Sequence, residues 1–423
     1  MTASTCRHVV IIGAGAVGVI SAIETLREGH RVTLLEPGEP GGTQAASYGN
    51  AGWLSSHSVI PPAEPGIWKK VPGYLMDPHG PLAIRWSYLP KASPWLIKYL
   101  LSGWTEARVE KTAWALRDLL KDAPALHKKL AEEAGVPDLI ECNGVMHVFP
   151  SRENFDGDLG WRIRKRVGIQ WIELNADDMR QREPDLTPRY TFGVLVEEAG
   201  RCRDPGAYIA ALANHAVSSG AELVRAKATG LKLNGNKLVA VLTEQGEIAC
   251  DAAVIAAGAR SKQLVASVGD PLPLETERGY HVMIENPESG PRSSISASDA
   301  KVVVNWTNKG LRVTGTVEIA GLDAEPNWNR AEILRDSLIS MFPKLPTITP
   351  PSRIKTWLGH RPSMPDGRPC IGYARASQDI VYAFGHGHVG LVGSARTGRL
   401  VAQLLSGKEP EIALQPFAPS RFL

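Results

Sequence analysis

The feature that most narrows what this chain can fold into lies near its start. A β-branched run, Val9-Val10-Ile11-Ile12, passes through Gly13-Ala14-Gly15-Ala16-Val17-Gly18 into a helical pattern over residues 17–28, and a second strand pattern over 31–36 ends at Glu36. Gly13 permits the tight turn, Gly15 lets the backbone approach a pyrophosphate, and Gly18 lets the helix pack on the strand. Ala16 and Val17 open the helix, whose free N–H groups and positive end suit phosphates. Glu36, 18 residues beyond Gly18, can accept hydrogen bonds from ribose hydroxyls, and its charge repels a 2'-phosphate, which disfavours NADP. The spacing predicts an α/β fold with a Rossmann-type dinucleotide-binding domain.

The chain is long enough for more than that one domain. At roughly 150 residues per domain, 423 residues suggest two or three, and a 43% hydrophobic content supplies sizeable cores. Lys and Arg number 47 against 44 Asp and Glu, a net charge of +3 with no long run of either sign, which argues against a nucleic-acid partner. Cys6, Cys142, Cys202, Cys250 and Cys370 lie far apart with no Cys-x-x-Cys pair, so neither a metal cluster nor a disulfide framework is expected, and a reducing cytoplasm fits. No signal-peptide pattern and no apolar run long enough to span a bilayer is visible.

Residues 37–66 are rich in Gly, Ser, Ala and Pro without apolar periodicity, which reads as a long ordered loop lining a site. Two helical patterns cover residues 94–130, the second running from 104 to 130. Trp and Tyr gather beside Lys91 and Lys98 between Trp86 and Trp104, a composition that makes peripheral contact with the inner face of a membrane an expectation. A strand at 145–149, a helix at 152–167 and a short helix at 176–182 follow. Asp204 caps a helix that starts at Pro205 and closes at Gly220. Strands are expected at 222–225, 237–243 and 247–250, with Asn234-Gly235-Asn236 as a hairpin turn, and a buried strand at 251–257 ends at Gly258. Further strands at 280–285, 302–306 and 311–316, a helix at 327–342, a strand at 380–384 and a helix at 389–406 complete the reading.

Several motifs recur in order along this framework: Ser47-Tyr48-Gly49-Asn50-Ala51-Gly52, Val254-Ile255-Ala256-Ala257-Gly258, Arg278-Gly279-Tyr280, Gly315-Thr316-Val317-Glu318, Gly359-His360-Arg361-Pro362, Pro365-Asp366-Gly367, and Gly385-His386-Gly387-His388-Val389-Gly390-Leu391. With them, over nearly its whole length, the chain resembles the D-amino-acid oxidase family of flavin oxidoreductases, and most closely the bacterial D-amino-acid dehydrogenase branch. The resemblance implies FAD, held by a Rossmann-type domain assembled from residues 1–65, 190–270 and 352–423. A second, antiparallel-sheet (α+β) substrate domain would come from residues 66–189 and 271–351. Small residues at Ala46, Ser47, Asn50, Ala51 and Gly52 suit a loop pressed against a flat ring, and Gly258 would lie by the nucleotide at the carboxyl edge of the sheet. Gly387, Val389, Gly390 and Leu391 open the last helix, where free N–H groups meet the charge that flavin reduction develops.

Arg361 is the expected anchor for a substrate carboxylate, because a guanidinium fork matches a carboxylate bidentately. Tyr280 is expected to add a hydrogen bond to that carboxylate, His386 and His388 to assist the flavin or contact substrate, and His57 to reach the site from the loop. The expected reaction is hydride transfer from the carbon bearing nitrogen to FAD, giving an imine and then a keto acid, without metal or nucleophile. His388 and the segment from Trp53 to His57 depart from the dehydrogenase pattern, which leaves a cyclic or N-substituted secondary amino acid such as hydroxyproline as an alternative substrate. An NAD-dependent dehydrogenase is disfavoured, since the glycine-histidine turn has no use there, and a flavin-binding sensor module is the non-enzymatic alternative. The residues leave the electron acceptor open between oxygen, a quinone and another protein, and the resemblance alone favours a dehydrogenase over an oxidase.

Overall fold

The structure, a computed structural model, describes residues 6–76, 80, 82–345 and 350–423. The fingerprint forms as strand, helix, strand: His8–Ile12 and Arg31–Leu35 run parallel, with the helix Ala16–Arg27 as their crossover. They sit in a sheet of order Glu222–Val224, Arg31–Leu35, His8–Ile12, Ala252–Ile255, Ile380–Phe384, Cys370–Tyr373, parallel except for the last strand. Both faces are covered, which is why its strands read as continuous apolar runs rather than alternating ones. Val9, Ile11, Val254 and Val381 face the helices Ala16–Arg27, Pro205–Ser218 and Gly390–Leu405. Val10, Ile12, Ala253, Ile255 and Tyr382 face a small antiparallel sheet built from Ala228–Asn234, Lys237–Thr243 and Gly246–Ala249.

A second sheet, largely antiparallel, has the order Ile354–Ser363, Glu275–Ile284, Gly310–Ile319, Val302–Thr307, Ile295–Ala297, Val145–Phe149, Phe192–Val196, Ile172–Asn175, with Leu82–Ile84 pairing alongside Gly310–Ile319. One face packs on the helix Asn329–Met341 through Val282, Val313, Leu334 and Leu338. The other face looks toward the first sheet, and the space between the two is the cleft described below.

Several local expectations are corrected. The helix expected over 104–130 is two, Glu106–Leu120 and Ala123–Glu133, because Asp122 takes a left-handed conformation (φ 61°) and Pro124 can only stand in a first turn. The helix expected over 152–167 breaks at Gly157, and Asp158 caps the second piece by accepting from the Trp161 N–H at 3.2 Å. The strand expected at 280–285 runs instead from Glu275 to Ile284, buried at every residue. In the hairpin the turn is Gly235-Asn236, since Asn234 already pairs with Lys237.

Candidate active site

The cleft between the sheets encloses about 1080 Å³, at the upper end of what small-molecule sites occupy. The fingerprint forms one end. Gly13, Gly15, Ala16, Val17 and Glu36 line it, and so do Ala46, Ser47, Asn50 and Ala51 from the long loop. Gly258, Gly387, Gly390 and Leu391 continue the wall toward Arg361, His386 and His388. Gly18 and Gly52 stand behind this wall: a Cβ on Gly18 would meet the Gly13 carbonyl oxygen at 1.8 Å, and one on Gly52 the Cys202 carbonyl oxygen at 2.3 Å. Val389 faces a side chamber of about 210 Å³ that shares His386, Gly387 and His388 with the cleft.

At the fingerprint end the backbone is pinned closely. Gly13 has φ +106°, and a Cβ there would lie 2.6 Å from the Ala256 carbonyl oxygen, so only glycine lets the first strand's turn nest against Ala256-Ala257. Glu36 accepts from the Ala14 N–H at 2.8 Å and the Gly38 N–H at 3.1 Å, and Ser47 Oγ accepts from the Ala16 N–H at 3.1 Å. No acidic residue stands in the first turn of Ala16–Arg27 or of Gly390–Leu405, so both helix starts are open to anionic or electron-rich groups.

At the other end, Arg361 lies on the edge strand Ile354–Ser363 opposite Glu277, and the next pair on the same face is Gly279–Gly359, two steps along. Its guanidinium folds over Gly279, where a Cβ would sit 2.2 Å from Nη1, and Nη1 donates to the Thr316 carbonyl at 3.4 Å. Burial lowers the Arg361 pKa from its usual value, and the nearby Glu277 works against that shift. Burial alone would raise Glu277, but His388 and Arg361 outweigh it and hold the carboxyl below the ordinary range. His388 Nε2 meets Glu277 Oε2 at 2.7 Å. His386 is pushed down to about 3 by burial and is neutral. Thr397 Oγ1 donates to the Gly393 carbonyl at 2.8 Å, so His386 Nε2–H donates to that hydroxyl at 3.0 Å and Nδ1 is its acceptor.

Two expected residues stand elsewhere. Tyr280 points to the opposite face of its strand, fully buried: its hydroxyl donates to Glu318 Oε2 at 2.6 Å and accepts from the Asn327 N–H at 2.8 Å, in a cluster with Arg278 and Arg85. Alternation explains this, since Gly279 faces the cleft and Glu277, on the same side of the strand, faces the chamber beside it, and residues one step away can face neither. His57 lies one layer behind the wall, its Nε2 2.7 Å from Nε2 of His147, which does line the cleft. Burial drives both rings well below their usual pKa, so they form a neutral pair wedged against Trp161. Glu277 and His147 were missed in the sequence: His147 sits in a strand without a flanking motif, Glu277 stands one residue before Arg278-Gly279-Tyr280 and outside it, and only pairing with distant strands brings His147 to the cleft and Glu277 to the chamber beside it.

FAD, the group the fold implies, fits these residues. The cleft is one continuous space from Glu36 to Arg361, the glycine-only turn would cradle phosphates, and the buried Trp53 Nε1 in the wall has no hydrogen-bond partner among the described residues. Comparison with known proteins agrees. Residues 8–404 match the DAO family, described as FAD dependent oxidoreductase. The chain is 87% identical over 417 residues, 99% of both chains, to a D-amino-acid oxidase of Bradyrhizobium diazoefficiens, and 30% identical over 432 residues, 98% of both, to a D-amino acid dehydrogenase of the same organism. Among solved structures it is similar to a glycine oxidase from Geobacillus kaustophilus, with a TM-score of 0.75 at 23% identity covering 99% of each chain, and to an L-proline dehydrogenase from P. horikoshii, with 0.72 at 19% covering 99% and 98%. A Rossmann-type sheet, a covering antiparallel sheet, a cleft built for a dinucleotide and a family match over nearly the whole length converge: the chain belongs to the DAO family of FAD-dependent oxidoreductases.

Proposed function

We propose that the protein oxidises small D-amino acids to the corresponding imino and keto acids, with the substrate carboxylate on Arg361. The observation that carries the reading is a half-buried guanidinium in the cleft wall, seated over Gly279 and beyond the fingerprint end, and it is supported by the name of the relative at 87% identity. Gly13 to Val17 and the start of Gly390–Leu405 would hold FAD, which when bound supplies a two-electron sink that takes a hydride from the substrate α-carbon. The chain's own work is positional. Arg361 fixes the carboxylate through two parallel hydrogen bonds, which restricts the substrate to one approach to the wall. The buried lining keeps water from the reacting carbon.

The same reasoning assigns the six-strand sheet to the nucleotide and the larger sheet to the substrate. By their pairing, Phe192–Val196 and Ile354–Ser363 go with the larger sheet. Oxygen is the electron acceptor on this reading, because the relative at 87% identity carries the name oxidase while the dehydrogenases stand near 30%. Among the described residues no helix is long and apolar enough to cross a membrane. Peripheral contact with an anionic bilayer is favoured by Trp68, Trp86, Ile97, Leu101 and Trp104, all exposed, in a region where residues 65–104 carry five Lys or Arg against Asp77 alone.

The reading is tested by incubating the holoenzyme in air with D-alanine and L-alanine. Equal amounts of keto acid, ammonia and hydrogen peroxide from the D form alone are expected; turnover of the L form at the same rate, or of neither, would overturn it.

A further inference from the structure

One pair of titratable groups in the cleft wall is used by neither nucleotide nor carboxylate binding. His388 Nε2 and Glu277 Oε2 stand 2.7 Å apart, with the glutamate side chain 6% exposed and the histidine side chain 44% exposed. His388 faces both the cleft and the side chamber, whereas Glu277 reaches only the chamber. Glu277 is also the direct cross-strand partner of Arg361, so an imidazole and the carboxylate anchor flank the same acidic group. An ionised carboxylate only accepts, so Nε2 carries the N–H toward Glu277, and in the neutral form of the ring the lone pair sits on Nδ1. That nitrogen makes no hydrogen bond to the described residues.

An amino acid arrives as an ammonium, and its nitrogen needs a free lone pair before the α-hydrogen can leave as hydride. We propose that His388 Nδ1 takes that ammonium proton, with Glu277 as the positioning residue that fixes the ring tautomer and balances the imidazolium. The step balances as follows. One N–H bond of the ammonium breaks as Nδ1–H forms; then the α-C–H electron pair leaves with its hydrogen to the flavin, and the nitrogen lone pair closes the C=N bond of a protonated imine. Two electrons leave the substrate and two enter the flavin, and His388 returns its proton to solvent.

Other groups line the two cavities that this ring faces. Arg361 from Ile354–Ser363 in the cleft and Arg164 from Leu159–Arg166 in the chamber oppose a positive imidazole, Tyr99 comes from Leu89–Ser102, and His386 is neutral and engaged with Thr397. Against the two arginines, Glu277 is the one carboxylate among the described residues that lines this end of either cavity. A dyad rather than a lone histidine is therefore what the charge balance needs.

The inference rests on the D-amino-acid reading above, and the test separates the two. Holoenzyme labelled with nitrogen-15 in histidine is titrated at pH 7 with 2-aminoisobutyrate, an amino acid with no α-hydrogen to lose, while the ring nitrogens are followed by NMR. One ring is expected to pass from the neutral to the imidazolium pattern on binding. His388→Asn should abolish the change, and Glu277→Gln should bind the ligand without it. Anaerobic flavin reduction by D-alanine should be about a hundredfold slower in His388→Asn at pH 7, with the deficit shrinking as pH rises and the amine sheds its proton unaided. Retained flavin absorbance in both variants checks folding. A ring that stays neutral on binding, or a wild-type reduction rate in His388→Asn at every pH, overturns the proton transfer while leaving the oxidation intact. A wild-type flavin that no D-amino acid reduces overturns both.

Discussion

Arg361 illustrates how much one side chain depends on its neighbours' smallness. The fork lies over Gly279, and any side chain at 279 would drive it out of the wall. Because charge-assisted hydrogen bonds contribute about 1.5–3 kcal/mol each, Arg361→Met is expected to weaken a competing carboxylate such as benzoate about a hundredfold, with Arg361→Lys between them because an ammonium keeps charge but not the fork. Flavin-absorbance titration checks this; equal affinity in all three would remove Arg361 from the site. The motif around Arg361 was legible in the sequence because a guanidinium beside Pro362 has a recognisable setting, and so were the glycines that no other residue can replace. Tyr280 was misplaced because a one-residue step along a strand reverses the face, and the sequence does not announce which of Gly279 and Tyr280 looks inward. Glu277 was invisible for the complementary reason: its role comes from His388 and Arg361, far away in the chain.

Among elements, those with local signals were legible and those defined by partners were not. The helix Pro205–Ser218 begins where Asp204 accepts from the Ala207 N–H at 3.1 Å, a cap written in the sequence. The strand Ile354–Ser363 carries Pro362 and, apart from a single bridge between Ser363 and His386, pairs on one side, so it lacks the apolar alternation of a central strand, and it went unread. The aromatic stretch divides on folding. Trp95 is buried, its Nε1 donating to the Ser363 carbonyl at 3.1 Å, while Trp86 is 69% and Trp104 54% exposed, the latter stacked with Trp68 at 6.4 Å. That exposed group supports an interfacial role, for which flotation with vesicles containing anionic lipid is the check. Wild type should co-float with anionic but not zwitterionic vesicles, and Trp86→Ser with Trp104→Ser should lose most of this; indifference to lipid charge and to the substitutions would count against it.

At the scale of the whole molecule, Arg421 ties residues 417–421 to the Pro365-Asp366-Gly367 motif. Asp366 accepts from Arg368 Nη2 at 2.7 Å and Arg421 Nε at 2.9 Å, and Arg421 also donates to the carbonyls of Phe417, Arg368 and Pro369. Burial alone would raise the Asp366 pKa, but the two guanidiniums outweigh it and hold the carboxyl below its ordinary value. A carboxyl lowered in the folded state contributes stability above its unfolded pKa and loses it as pH falls through the folded one. Asp366→Asn is therefore expected to cost about 3 kcal/mol at pH 7 by urea unfolding, with the gap to wild type closing below the normal carboxylate range; a gap independent of pH would refute the ion-pair account. In the first sheet the fingerprint fixes strand, helix, strand in one short stretch and the other parallel strands were legible as apolar runs, while the antiparallel edge strand Cys370–Tyr373 went unread. The second was legible only by resemblance, since its strands are gathered from residues 82 to 363 by long-range pairing. The central claim, a D-amino acid oxidised by FAD in the cleft between these sheets, is tested most directly by anaerobic mixing of the yellow holoenzyme with D-alanine while the flavin absorbance is recorded. Complete bleaching with one keto acid formed per flavin is the predicted result; a flavin that dithionite bleaches but no D-amino acid does would contradict it.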